Sequence, residues 1–444
     1  MRSVADGSVF GNTRPRIELA NHSPAIFWME SPSNLWYSKS LSDSTFTEPM
    51  QLAAIGHDVF VSGYGGADIA TYGDNVFLVY MTKPFNQAKV YFRKSTDGGE
   101  TWGLAVNFSL NHIIPFLPTV SFSDNGNPTI MLMGYDTNYT NPAYYTFTSL
   151  NGGNSFGSGL KVSAGTPHEV CDCCPAHLSL EGDVSVALFR NNDQNLRDLW
   201  AATSIDNGIS IDTAQDIDPN NWQINSCPSS GPDAILNEGD LHAVWMSAGS
   251  GSSRVYRSNL EVQTQNWSTE LIYDRGNNQN YPRISGNSDT IGIVFQNNED
   301  GINNCLFIYS VDGGSSFSEP FDLFGDSTSI QTAPDLVYKN KTFHFVFRDL
   351  FSSDLIYRSA RFESTLDVQD ELESIRLFPN PVEHEINFSS TIRVNDVKVY
   401  NMLGQEFIFQ LVGGKIDVSS LRAGIYVISF GTGFDSRVMK FEKR

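Results

Sequence analysis

Val90-Tyr91-Phe92-Arg93-Lys94-Ser95-Thr96-Asp97-Gly98-Gly99-Glu100-Thr101-Trp102 is the stretch whose reading decides the fold. An apolar run ends on a serine, a tight polar turn follows, and an aromatic residue closes it. The serine recurs as Ser40, Ser95, Ser149, Ser204, Ser258, Ser310 and Ser359, with gaps of 55, 54, 55, 54, 52 and 49 residues. A second apolar run precedes each one, among them AIFWM, VFLVYM, VSVALF and TFHFVF. A period near 50 built from short strands predicts a β-propeller, one four-stranded sheet per repeat. The repeats count seven blades, or six if a terminal repeat is incomplete. The last repeat lacks an obvious fourth strand. Residues 1–13 could supply it through Ser8-Val9-Phe10, which would close the ring and hide its sheet edges.

The turn recurs in fuller form as Ser149-Leu150-Asn151-Gly152-Gly153-Asn154-Ser155-Phe156 and Ser310-Val311-Asp312-Gly313-Gly314-Ser315-Ser316-Phe317. Ser204-Ile205-Asp206-Asn207-Gly208 is a degraded copy ending in Ile211. Aspartate or asparagine can bond the turn backbone, glycine takes positive φ, and the aromatic packs between sheets. These residues resemble the Asp box, or bacterial neuraminidase repeat, of sialidase-like propellers. The resemblance covers residues 14–362. It implies a structural role for Ser95, Asp97, Gly99, Trp102, Ser149, Asn151, Gly153, Phe156, Ser310, Asp312, Gly314 and Phe317, on the turn remote from the ligand face. It speaks for fold rather than activity.

Residues 363–373 are acidic, carry no strand pattern and read as a linker. From 374 to 444 the composition changes to short alternating strands, which predict a small antiparallel β-sandwich. Leu377-Phe378-Pro379-Asn380-Pro381, Val399-Tyr400-Asn401-Met402-Leu403-Gly404, Ile416–Val427 and the closing Lys440-Phe441 resemble the type A C-terminal sorting domain of type IX secretion in Bacteroidota. The resemblance implies export, contact with that secretion machinery, and a secreted or outer-membrane surface location. A removed signal peptide would fit the N-terminus, which lacks an apolar h-region.

The chain has 444 residues and a formal net charge of -21. That acidity argues against nucleic acid and against an anionic membrane surface. No apolar stretch is long enough to span a bilayer. A monomer is expected.

The cysteines gather in His168-Glu169-Val170-Cys171-Asp172-Cys173-Cys174-Pro175-Ala176-His177, before the first strand of repeat four. Cys227-Pro228 holds the same place before repeat five. Both should reach the channel mouth on neighbouring blades. Export permits disulfides. One reading bridges the cluster to Cys227, with Cys174 as the nearest partner by position. Another has Cys171, Cys173, Cys174 and Cys227, with His168 or His177, holding Cu(I) or Zn(II). A third leaves the thiols unpaired. No other cofactor is implied. The run also resembles a CxCC signature of some sialidase-like propellers, from which no function carries over. Cys305 reads as a buried strand residue.

Sialidases hold a substrate carboxylate with three arginines and use a tyrosine nucleophile. Guanidinium binds carboxylate bidentately and stays charged. Rim positions in the repeats offer Arg16, Arg190, Arg283 and Arg348 as ligand-binding candidates. Tyr281, Asp58 and Glu30 are the catalytic candidates. The family's Phe/Tyr-Arg-Ile-Pro opening is missing, and Arg14-Pro15-Arg16-Ile17 only approximates it. The expected function is therefore recognition of a glycan or protein ligand at the channel face. The alternative is an exo-glycosidase of the sialidase type, and a metal-handling role through the cysteines stands third.

Overall fold

The computed structural model describes residues 2–5, 14–362 and 377–444, apart from 31–32, 43–44, 109, 111–112, 300, 324, 326–328, 389–394, 413 and 432–435. Ser8-Val9-Phe10 and the 363–373 segment lie outside the described residues. The chain divides into two compact units, Met1–Arg361 and Phe362–Arg444.

The first unit is a seven-bladed propeller. Its inner strands are Arg16–Ala20, Asp68–Tyr72, Ile114–Phe122, His177–Glu181, Asp233–Asn237, Asn280–Gly286 and Gln331–Lys339, here blades 1 to 7. Each packs on the next, and that of blade 7 packs on that of blade 1, so the ring closes. Every blade runs antiparallel from inner to outer strand. The seven ruler serines all lie on or just after a third strand. Second strands such as Asn75–Met81 and Pro128–Tyr135 are buried along nearly their whole length. They lie between neighbouring blades, which explains why they read as continuous apolar runs rather than alternating ones.

The ring is closed by an N-terminal strand at Arg2–Ala5. It pairs Arg2 with Tyr357, Ser3 with Ile356 and Ala5 with Leu355, supplying the outer strand of blade 7. Deleting residues 1–5 should therefore leave Leu355–Arg361 as an open edge. A lower melting temperature and concentration-dependent association are expected, read by calorimetry and light scattering. Unchanged melting and a persistent monomer would rule out a closing role.

The serine turns are built alike. Ser95 Oγ accepts the Gly99 N–H at 2.9 Å and donates to Asp97 Oδ1 at 2.7 Å, and Asp97 Oδ1 accepts the Thr101 N–H at 2.9 Å. Ser149, Ser204 and Ser310 repeat the pattern. Gly99 sits at φ 86°, and a Cβ there would fall 2.1 Å from the Tyr37 hydroxyl oxygen. Conformation and close approach both require glycine. The hydroxyl and N–H of Thr101 hold Asp97 down at about 2. Trp102 then packs edge-on against Tyr37 of the preceding blade, centroids 5.5 Å apart.

The second unit stacks a three-stranded sheet (Leu377–Phe378, Glu385–Phe388, Lys415–Asp417) and a four-stranded sheet (Glu406–Ile408, Asn395–Asn401, Gly424–Gly431, Ser436–Lys443). Val382, Ile386, Val399, Ile416, Val418, Ile428 and Phe441 fill the core between them. No helix among the described residues is long and apolar enough to cross a membrane.

Candidate functional site

The inner strands of the propeller start alike. Proline immediately precedes Arg16, Thr119, Asp233, Arg283 and Asp335, and Pro175 lies two residues before His177. Leu117, Tyr281 and Ala333, each just before its proline, have φ of 45°, 50° and 49°. The strand register shifts at the same three places. A bulge tolerates proline, which has no N–H for the ladder, and it re-aims the next side chain. These residues, together with Asp68 of blade 2, meet at the channel mouth, one per blade.

They form a nearly closed circuit. Arg16 pairs with Asp68 at 3.4 Å and with Asp335 at 3.2 Å. Arg283 pairs with Asp335 at 2.8 Å and with Asp233 at 3.3 Å, and His177 Nδ1 lies 2.9 Å from Asp233. The Thr119 hydroxyl donates to Asp68. Each aspartate also accepts a backbone N–H from the next blade: Val120 onto Asp68, Ile284 onto Asp233 and Ile17 onto Asp335. These carboxylates staple blade 2 to 3, 5 to 6 and 7 to 1. Burial would raise the Asp233 carboxyl, but Arg283, His177 and Arg16 together hold it below the usual carboxylate range.

Arg283 is thus 6% exposed and bound on both sides by carboxylates. The expectation of an open rim guanidinium does not describe it. Arg190 is fully buried. It donates to the carbonyls of Ser230, Arg197 and Met246 and lies over the Trp222 ring, 5.3 Å from its centroid. It ties blade 4 to blade 5. Arg348 is 9% exposed, and burial lowers its pKa.

Tyr281 lines a small hollow at the mouth together with Arg14, Arg16, Arg283, Gly231 and Ala333. Asp58 and Glu30 line no part of it. Asp58 accepts from Ser33 and pairs with Lys83 at 3.2 Å. The Ser33 bond, then Lys83, lowers its pKa, which is the wrong direction for a general acid. Glu30 accepts the Trp36 indole N–H at 2.7 Å.

Arg14 was not among the rim candidates. Its guanidinium donates to the Tyr64 carbonyl and makes no ion pair among the described residues. Burial, then the neighbouring Arg283 and Arg16 charges, lowers it to about 10. Farther along the bore, a cavity of about 290 Å³ is lined by Glu18, Thr71 and the inner strands of blades 1 to 5. Burial pushes Glu18 up to about 8. Asp68, Asp233, Asp335 and Glu18 were all missed from sequence. The recurring proline before a polar residue is the signal that could have found Asp233 and Asp335.

The cysteines converge beside the mouth. Cys173 is disulfide-bonded to Cys227, with their Cα atoms 6.3 Å apart. Position in the sequence had singled out Cys174. Its side chain is instead fully buried against Cys171, Sγ to Sγ 2.7 Å, and stands 4.0 Å from Cys227 Sγ. Arg197 Nη1 donates to Cys171 Sγ at 3.0 Å. The Cys174 thiol hydrogen bond, then Arg197, holds Cys171 down at about 6, while burial pushes Cys174 well up. All four sulfurs lie within 4.8 Å of one another, a donor set that suits a soft cation if all were thiolates. Neither histidine joins them: His168 pairs with Asp193 at 3.0 Å and His177 with Asp233. At Gly231 an added Cβ would meet Pro175 at 2.8 Å, so the two linked loops are in close contact. Cys305 is fully buried within its strand.

Residues 376–442 match the family described as the secretion system C-terminal sorting domain. No curated protein matches the sequence. Among solved structures, the chain is similar to the BP39L lectin from Burkholderia pseudomallei at 11% identity and a TM-score of 0.58, over 80% of this chain and 97% of that one. It is similar to a PL25 ulvanlyase at 11% identity and a TM-score of 0.54, over 82% and 98%. A Hadza microbial sialidase aligns at 13% identity with a TM-score of 0.45 over 79% of this chain, which spans 66% of its length. At these identities the likenesses concern the propeller fold alone. The sorting domain supports a secreted or cell-surface location.

Proposed function

We propose that the protein is an exported propeller that recognises a glycan or protein ligand through an anionic group at the channel mouth, delivered by type IX secretion through its C-terminal unit. One observation carries the binding reading over the hydrolytic one. The arginines best placed to grip a substrate carboxylate, Arg16 and Arg283, are already engaged with aspartates. The two hollows at the mouth hold only about 10 and 40 Å³. Sites that enclose an organic ligand are typically ~300 Å³ or more. The mouth can seat a carboxylate or sulfate group while the rest of the ligand lies on the surface. Arg14, the one mouth guanidinium with no acidic partner among the described residues, is its anchor.

The hydrolytic reading retains one support, the presence of Tyr281 in the same hollow as Arg14. A sialylated, sulfated and neutral glycan array, run beside a fluorogenic sialoside assay, separates the two. Binding of acidic glycans without turnover is expected. Arg14→Gln should weaken it about ten-fold, the order expected for one charge-assisted hydrogen bond, with little change in melting temperature. Equal binding by Arg14→Gln would remove the anion seat. Turnover that Tyr281→Phe abolishes would establish the hydrolase instead.

A further inference from the structure

We propose that blade 4 carries a calcium site, built from Asp216, Asp218 and Asn220 on one loop and Asp198 on the strand beside it. The sheet register brings these groups together. Trp200 pairs with Asp216, and the Ile217 N–H bonds the Leu199 carbonyl at 2.9 Å. The same antiparallel register sets Asp198 opposite Asp218. Side chains alternate along a strand, so Asp198, Asp216 and Asp218 share one face.

Two of these carboxylates are buried with nothing on one oxygen. Asp198 is 0% and Asp218 2% exposed. Asp198 Oδ1 accepts the Trp222 N–H at 2.8 Å, and Asp218 Oδ1 accepts the N–H and side-chain amide of Asn220 at 3.1 and 2.6 Å. The Oδ2 atom of each accepts no hydrogen bond among the described residues. A buried, unpaired carboxylate oxygen is costly. Two of them on one face of the sheet leave free oxygens to offer a cation.

The loop has the chemistry for a hard one. Asp216-Ile217-Asp218-Pro219-Asn220-Asn221 places oxygen donors at its first, third and fifth residues, and the sixth, Asn221, has φ 51°. EF-hand loops follow the same spacing, turn sharply at the sixth residue and add the carbonyl of the seventh, here Trp222. Asp198 takes the place of the distal acid that completes such a shell. Among the described residues only the four cysteines bring three such donors within 4.8 Å of one another. The loop therefore closes on the ion rather than presenting a finished cage. Its closure bears on the cysteines, because Asp198 anchors Trp222 under Arg190, and Arg197 next to it holds Cys171.

The test uses the full-length protein and Tb³⁺ as probe, excited through tryptophan, since Trp200 and Trp222 flank the site. Saturable emission is expected, displaced by CaCl₂ at around 10⁻⁴–10⁻³ M, the range of extracellular calcium modules, and poorly by MgCl₂. Melting in CaCl₂ should exceed melting in EDTA by a few degrees. Asp218→Asn is nearly isosteric and removes a repelled charge. It should melt no lower than the parent in EDTA, yet lose the calcium shift and weaken Tb³⁺ at least ~10-fold. If that variant does not fold, Asp198→Asn makes the same comparison. No calcium-displaceable emission, or an undiminished calcium shift in both variants, overturns the site. Equal displacement by magnesium overturns calcium as its ion.

Discussion

Arg283→Ala is expected to lower the melting temperature of the propeller by roughly 10 °C, at about 3–5 kcal/mol for breaking a buried ion pair. The substitution leaves Asp233 and Asp335 buried on neighbouring blades without the guanidinium between them. Read from sequence alone, Arg283 is a rim group free to bind a ligand. The network at the mouth reverses that expectation. The variant should also be more sensitive to acid. In the parent, Asp233 is held below its unfolded value, so it contributes stability above that value, which is lost as pH falls toward the folded one. Without Arg283 the folded pKa rises, and that contribution shrinks across the whole range. Lysine should rescue only in part, because one ammonium cannot span two carboxylates as the planar fork does. Pairing Arg283→Ala with Asp335→Asn should recover part of the loss. A melting temperature within a degree of the parent would show that the circuit does not hold the ring together.

Cys227→Ser should cost about 4 kcal/mol, the chain-entropy value for a link of this span, since the Cys173–Cys227 bond joins residues 54 apart in sequence. The loop it closes contains the blade 4 strands from His177 to Asp216, so its loss should loosen the contact with blade 5 first. Non-reducing peptide mapping should recover the Cys173–Cys227 link. Denaturant unfolding with and without reductant should reproduce the mutant's loss. Recovery of a Cys174–Cys227 link would reassign the pairing. Free thiols at all four positions with one bound copper or zinc per chain would replace the disulfide by a metal centre. Stability unaffected by reductant and by Cys227→Ser would leave no structural role for the link.

The residue period and strand composition carried the architecture. The blade count, the position of the serine turns and the separate C-terminal sheets all follow from local signals: apolar runs of strand length, glycine where φ is positive, and aromatics at a fixed offset. Such features depend on a few neighbouring residues, so a sequence states them directly. The site was legible only in part. The sequence brought the cysteines to the correct blades and Arg16, Arg283 and Tyr281 to the channel mouth. It could not tell that Arg283 is held by Asp233 and Asp335, about 50 residues away on either side, because only the packing of one blade on the next makes those positions adjacent. It could not choose Cys173 over Cys174, because which of two adjacent side chains faces a partner is set by the local turn of the loop. It did not mark Asp198 as lying opposite Asp218, since only the register of two neighbouring strands sets them side by side. Local chemistry chose the fold. The arrangement of charges at the mouth was decided by tertiary structure, where burial makes every carboxylate depend on partners from another blade.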